Sequence, residues 1–130
     1  MERISILIVD DDHGIAETLA DIFCEMGYDI DVAGNGYKAI EMVKMKIYDA
    51  SLIDIRMPGI NGIETFKQIK RISPTTRVIM MTAYSLEDLM KEATLEGVCQ
   101  IMYKPLDIDK VVDFIENRNI QSKNSESYED

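Results

Sequence analysis

The chain has 130 residues, 46% apolar and 29% charged, and its 14 Lys and Arg against 24 Asp and Glu leave a net charge of −10. That length fits one domain with a sizeable core, the composition is ordinary for a soluble globular protein, and no apolar run approaches the ~20 residues of a membrane span. The acidic excess argues against direct nucleic-acid binding, which draws on Lys and Arg at phosphates. The opening Met1-Glu2-Arg3 shows no signal-peptide pattern, so a cytoplasmic location is expected.

In chain order, Ile4–Val9 is β-branched and apolar and reads as a buried strand that ends in Asp10-Asp11-Asp12. Ile15, Leu19, Ile22, Phe23 and Met26 recur at helical spacing, with Asp12 placed as the cap and Gly27 as the stop. Tyr28–Ala33 alternates apolar residues with Asp29 and Asp31, a pattern suited to an edge strand. After the turn Gly34-Asn35-Gly36, Tyr37–Met45 is helical through Ile40 and Val43. Ala50–Ile53 is a second buried strand, ending on Asp54, and Met57–Gly62 is a Pro- and Gly-rich loop. Ile63, Phe66, Ile69 and Ile72 mark a helix closed near Ser73-Pro74. Val78–Met81 is a strand ending on Thr82, and Ser85 caps a helix running to about Gly97. Cys99–Tyr103 is the last strand, followed by Lys104-Pro105, and Asp107 caps a final helix through Val111, Val112, Phe114 and Ile115.

Five β-α units without an internal repeat imply a doubly wound α/β sandwich, a parallel sheet with helices on both faces. In such a sheet the carboxyl ends of all strands lie along one edge, where ligands bind. Asp10 and Asp11, Asp54, Thr82 and Lys104 each follow a different strand, so they converge there. Adjacent carboxylates raise one another's energy unless a cation sits between them. Three carboxylates and one lysine leave two negative charges, which a bound Mg2+ would cancel, and Mg2+ prefers oxygen ligands and shares its shell with phosphate. A carboxylate nucleophile, a metal, a lysine and a hydroxyl together describe an aspartyl-phosphate site.

Ile6-Leu7-Ile8-Val9-Asp10-Asp11-Asp12, Asp54-Ile55-Arg56-Met57-Pro58-Gly59, Met81-Thr82-Ala83 and Lys104-Pro105 together resemble a receiver domain of a two-component response regulator, over roughly Ile4 to Asn117. The resemblance implies a flavodoxin-like (βα)5 fold with strand order 2-1-3-4-5, and a domain over 1–120 followed by a polar tail or linker start at 121–130. It implies that Asp54 accepts a phosphoryl group from a histidine kinase or phosphotransfer protein. Asp10, Asp11, Asp54 and the Arg56 backbone carbonyl would hold Mg2+, and Thr82 and Lys104 would grip the phosphoryl oxygens. It also implies an output surface over about 85–117, with the oligomeric state open between a monomer and a phosphorylation-dependent dimer. Three residues before the lysine, where many receivers carry Tyr or Phe, this chain has Ile101, and Tyr103 falls on the same side of the strand by alternation.

Two other readings compete with a phosphorylated switch. Aspartyl-phosphate hydrolases place a second Asp two residues after the nucleophile, where this chain has Arg56, so turnover of outside substrates is not expected. A receiver-like interaction module that is never phosphorylated would have lost the pocket residues, and all of them are present. Cys24 and Cys99 match no metal or redox spacing and are expected as small buried or half-buried residues. His13 is expected in a loop or first helical turn, most methionines are expected in the core, and Met90 and Tyr103 are the residues to test at an interface.

Overall fold

The structure, a computed structural model, describes residues 3–83 and 100–116. Five parallel strands lie in the order β2-β1-β3-β4-β5: β1 Ser5–Val9, β2 Asp29–Ala33, β3 Ala50–Asp54, β4 Arg77–Thr82 and β5 Gln100–Tyr103. The described helices are α1 His13–Glu25, α2 Gly36–Met45, α3 Gly62–Ile72 and α4 Ile108–Glu116. The helix expected from Ser85 to Gly97, with Met90 and Cys99, and the tail at 121–130 lie outside the described residues. No described helix is long and apolar enough to cross a membrane.

The strands of the middle of the sheet are buried on both faces, which is why they read as largely apolar runs. Alternate residues feed two cores. Leu7, Val9, Ile53, Val78 and Met80 pack with Val43, Ile63, Phe66 and Ile69 from α2 and α3. Ile6, Ile8, Leu52, Ile79 and Met81 pack with Leu19, Phe23, Val111 and Ile115 from α1 and α4. Full burial of Phe23 or Phe66 contributes on the order of 2–3 kcal/mol each.

The edge position expected for the strand at Tyr28–Ala33 is observed in β2. Its acidic face is half neutralised by Lys46, whose Nζ lies 3.1 Å from Asp29 Oδ2 and 3.0 Å from Asp31 Oδ2, while the Tyr48 hydroxyl donates to Asp31 at 2.6 Å. The Tyr48 hydrogen bond, helped by Lys46 and opposed by burial, holds the Asp31 carboxyl below its ordinary range. Gly27 ends α1 with φ of +99°, its amide donating to Cys24 and that of Tyr28 to Phe23, and the Phe23 and Tyr28 rings meet edge to face at 6.0 Å.

Some expectations are corrected. Cys24 is exposed, because Phe23 takes the inward position of that turn and its neighbour is carried round to solvent. Ile15, Met26 and Val32, assigned to apolar stripes, are exposed, since Ala16, Leu19 and Phe23 form the part of α1 that meets the sheet and β2 is uncovered at its rim. Asn35 and Asn61, read as turn residues, are helix caps, accepting from Lys38 N at 2.8 Å and Glu64 N at 2.9 Å.

Candidate functional site

The carboxyl ends of β1, β3, β4 and β5 meet at one edge, as the topology requires. Asp10 follows β1 directly and its amide extends the pairing by donating to Ala33 O at 3.1 Å. Its side chain is fully buried, with one oxygen accepting from the Asp12 amide at 3.0 Å and the other from Lys104 Nζ at 2.9 Å. Asp11 is exposed at the rim. Asp12 turns the other way and caps α1, accepting from Ile15 N at 3.1 Å, and exposed His13 begins that helix.

Asp54 is the last residue of β3, and its carboxylate lies 3.4 Å from Lys104 Nζ. Burial, reinforced by the Asp10 charge and only partly countered by Lys104, raises its pKa to about 6. Lys104 pulls both ways: burial disfavours its charge, but Asp10 and Asp54 outweigh that and hold its pKa above the ordinary value. The lysine is brought in by β5, whose pairing with β4 continues as Lys104 N donates to Thr82 O at 2.8 Å. Buried Thr82 ends β4. Among the described residues, one carboxylate oxygen each from Asp10, Asp11 and Asp54 come within 4.8 Å of one another. That all-oxygen donor set fits a hard divalent cation such as Mg2+.

These groups line a cavity of about 280 Å³ together with exposed Arg56 and with Ala83. Each residue predicted for the site is therefore found there: Asp10, Asp11, Asp54, Arg56, Thr82 and Lys104. Sequence reasoning missed Gly62, the first residue of α3. A Cβ there would lie 2.2 Å from Asp54 O and 2.7 Å from Ile55 Cα, so only glycine lets α3 begin against the backbone of the acidic residue. Its amide donates to Ile55 O at 2.8 Å. The signal was available in Asn61-Gly62-Ile63-Glu64, a cap with an acidic residue three positions on. A second, largely apolar groove of about 780 Å³ adjoins the cavity, sharing Asp12, Ile15, Ala83 and Lys104 and extending along Leu19, Ile22 and Leu106.

Known proteins resemble this chain in sequence and fold. The sequence is 43% identical over 110 residues to the transcriptional regulatory protein ZraR of Klebsiella oxytoca, covering 85% of this chain and 25% of ZraR. The chain thus spans about a quarter of that regulator. It is 40% identical over 110 residues to sporulation initiation phosphotransferase F of Bacillus subtilis, covering 85% of this chain and 89% of that protein. A solved chain of the CheX–CheY–BeF3–Mg2+ complex from Borrelia burgdorferi superposes with a TM-score of 0.78 at 32% identity, covering 88% of this chain and 87% of that one. The family model of the response regulator receiver domain matches residues 6–116, and the chain belongs to that family, the phospho-accepting receivers of two-component signalling.

Proposed function

We propose that Asp54 is the phosphoacceptor, taking the group from a phosphohistidine of a kinase or phosphotransfer protein in the cytoplasm. Asp10, Asp11, Asp54 and the Arg56 backbone carbonyl would hold Mg2+, which supplies positive charge against the phosphoryl oxygens. A carboxylate oxygen of Asp54 forms the bond to phosphorus while the phosphorus–nitrogen bond to the donor breaks, and the imidazole nitrogen keeps the bonding pair and takes a proton. Lys104 Nζ, already within reach of Asp54, follows one phosphoryl oxygen as a mobile point charge, and the Thr82 hydroxyl donates to another. The observation that carries this reading is the convergence of three carboxylates within 4.8 Å, with the lysine ammonium 3.4 Å from Asp54.

The adjoining apolar groove supports docking of a protein donor, since a partner seated along Ile15, Leu19 and Leu106 would face the cavity mouth. Arg56 stands where a hydrolase would need an acid–base carboxylate, which supports a switch over a turnover enzyme. Phosphorylation replaces one negative charge with about two at the ends of β3 and β4, a change able to bias a packed two-state element. We place the output surface over 85–117, where Tyr103 is exposed, in a receiver unit of residues 1–120 that continues into a polar segment at 121–130.

Incubation with Mg2+ and a small phosphodonor, followed by intact-mass measurement, tests the site. The wild type should gain one phosphoryl group and the Asp54→Asn variant none. A wild type without the gain would remove the switch reading, and a gain that persists in Asp54→Asn would remove the assignment of Asp54.

A further inference from the structure

The loop between β3 and α3 carries Arg56 and is packed against the start of α2. Gly36 there has no room for a side chain, since a Cβ would fall 2.2 Å from Thr65 Oγ1 and 2.6 Å from Ile60 Cγ1. The next residue, Tyr37, lays its ring against Gly59 at the other side of the loop. Gly59 has a φ of +81°, and a Cβ on it would lie 3.1 Å from ring carbon Cε2. Tyr37 is 59% exposed, so it adds little to either core. A large ring on a helix surface that spends its contact on a loop glycine is better explained by what it does to the loop than by burial.

We infer that Tyr37 is a positioning residue for the metal-binding loop. The loop is anchored at its root, where the Gly62 amide meets Ile55 O and α3 abuts Asp54. Near its tip the Tyr37 ring closes off the space into which Gly59, with no side chain of its own, would swing. Fixing both ends limits the orientations of the intervening peptide that includes the Arg56 carbonyl. A ligand held in place before the ion arrives binds it more tightly than one that must be ordered on binding. The inference rests on the proposal that the Arg56 carbonyl is a metal ligand.

Mg2+ binding to the whole chain, measured by titration calorimetry on wild type, Tyr37→Ala and Tyr37→Phe, tests it. Tyr37→Ala should weaken Mg2+ by about ten-fold, while Tyr37→Phe, which keeps the ring, binds as wild type does. In phosphodonor assays the Ala variant should need more Mg2+ for half-maximal rate and reach the wild-type rate at saturation. Unchanged Mg2+ affinity in Tyr37→Ala would overturn the inference, whether or not its melting temperature falls, because lost stability alone is what a merely structural ring would show. An Asp11→Ala control separates the two levels: if it too binds Mg2+ like wild type, the metal site itself is misassigned.

Discussion

At the scale of single residues, Asp54 combines two demands that conflict. The proposed role as nucleophile requires an ionised group, yet burial and the neighbouring Asp10 charge raise the Asp54 pKa to about 6. Because the folded pKa lies above the unfolded value near 3.8, the carboxyl favours folding below about pH 4, and that contribution is lost as the pH rises through 6. At neutral pH without metal the ionised group works against the fold. Asp54→Asn should therefore raise the melting temperature at pH 7.5 in chelator by roughly 3–8 °C, and the gap should close between pH 6 and pH 4. Thermal melts across that range check it, and a gap independent of pH would contradict Asp54 ionisation as its cause. Mg2+ affinity should weaken over the same interval, as protons compete for the same oxygens.

At the scale of elements, the site depends on how helices begin. Asn61 caps α3 and Gly62 sets its first turn against Asp54 O. Gly62→Ala inserts a methyl where backbone stands 2.2 Å away, so the loop or the helix must move. Such overpacking costs about 1–3 kcal/mol, and the shift should also abolish labelling of Asp54 under conditions where the protein remains folded. Denaturant melts and mass measurement of the phosphorylated form together report the two effects. This was the part least legible in the sequence. The runs Ile4–Val9, Ala50–Ile53 and Val78–Met81 announced themselves because strands buried on both faces are mostly apolar, and a buried polar residue such as Ser51 needs a partner, here Leu7 O. Asn61-Gly62 alone carries the same letters whether it makes a turn or a cap; Glu64 three positions on favours the cap, but the close approach of α3 to Asp54 shows only in the structure. The exposure of Ile15, Met26 and Cys24 was illegible for a related reason: helical periodicity gives a stripe, while the width of the stripe that is covered depends on what the helix meets.

At the scale of the whole molecule, the order β2-β1-β3-β4-β5 explains why the site could be read from strand ends alone. Each chemically distinctive residue follows an apolar run, and a parallel sheet sends all those ends to one edge. The distances and the raised Asp54 pKa could not be read, since they arise from groups as far apart in the chain as Asp10 and Lys104. The entry to β2 and the end of α4 are also joined, away from the site. The Tyr28 hydroxyl, just before β2, donates to Glu116 at the end of α4. Tyr28→Phe should cost about 1 kcal/mol, seen as a lower melting temperature, with Mg2+ affinity and phosphorylation unchanged. A loss of Mg2+ affinity in that variant would show coupling between this tie and the opposite edge of the sheet.

The ion pair between Asp10 and Lys104 spans 94 residues of sequence. During synthesis the aspartate is made early and its lysine partner only 94 residues later. An emerging chain with Asp54 already exposed thus lacks the cation and the fourth and fifth strands that shape its surroundings. Reactivity toward a phosphodonor should therefore appear only once β5 has joined the sheet and brought Lys104 to the carboxylates.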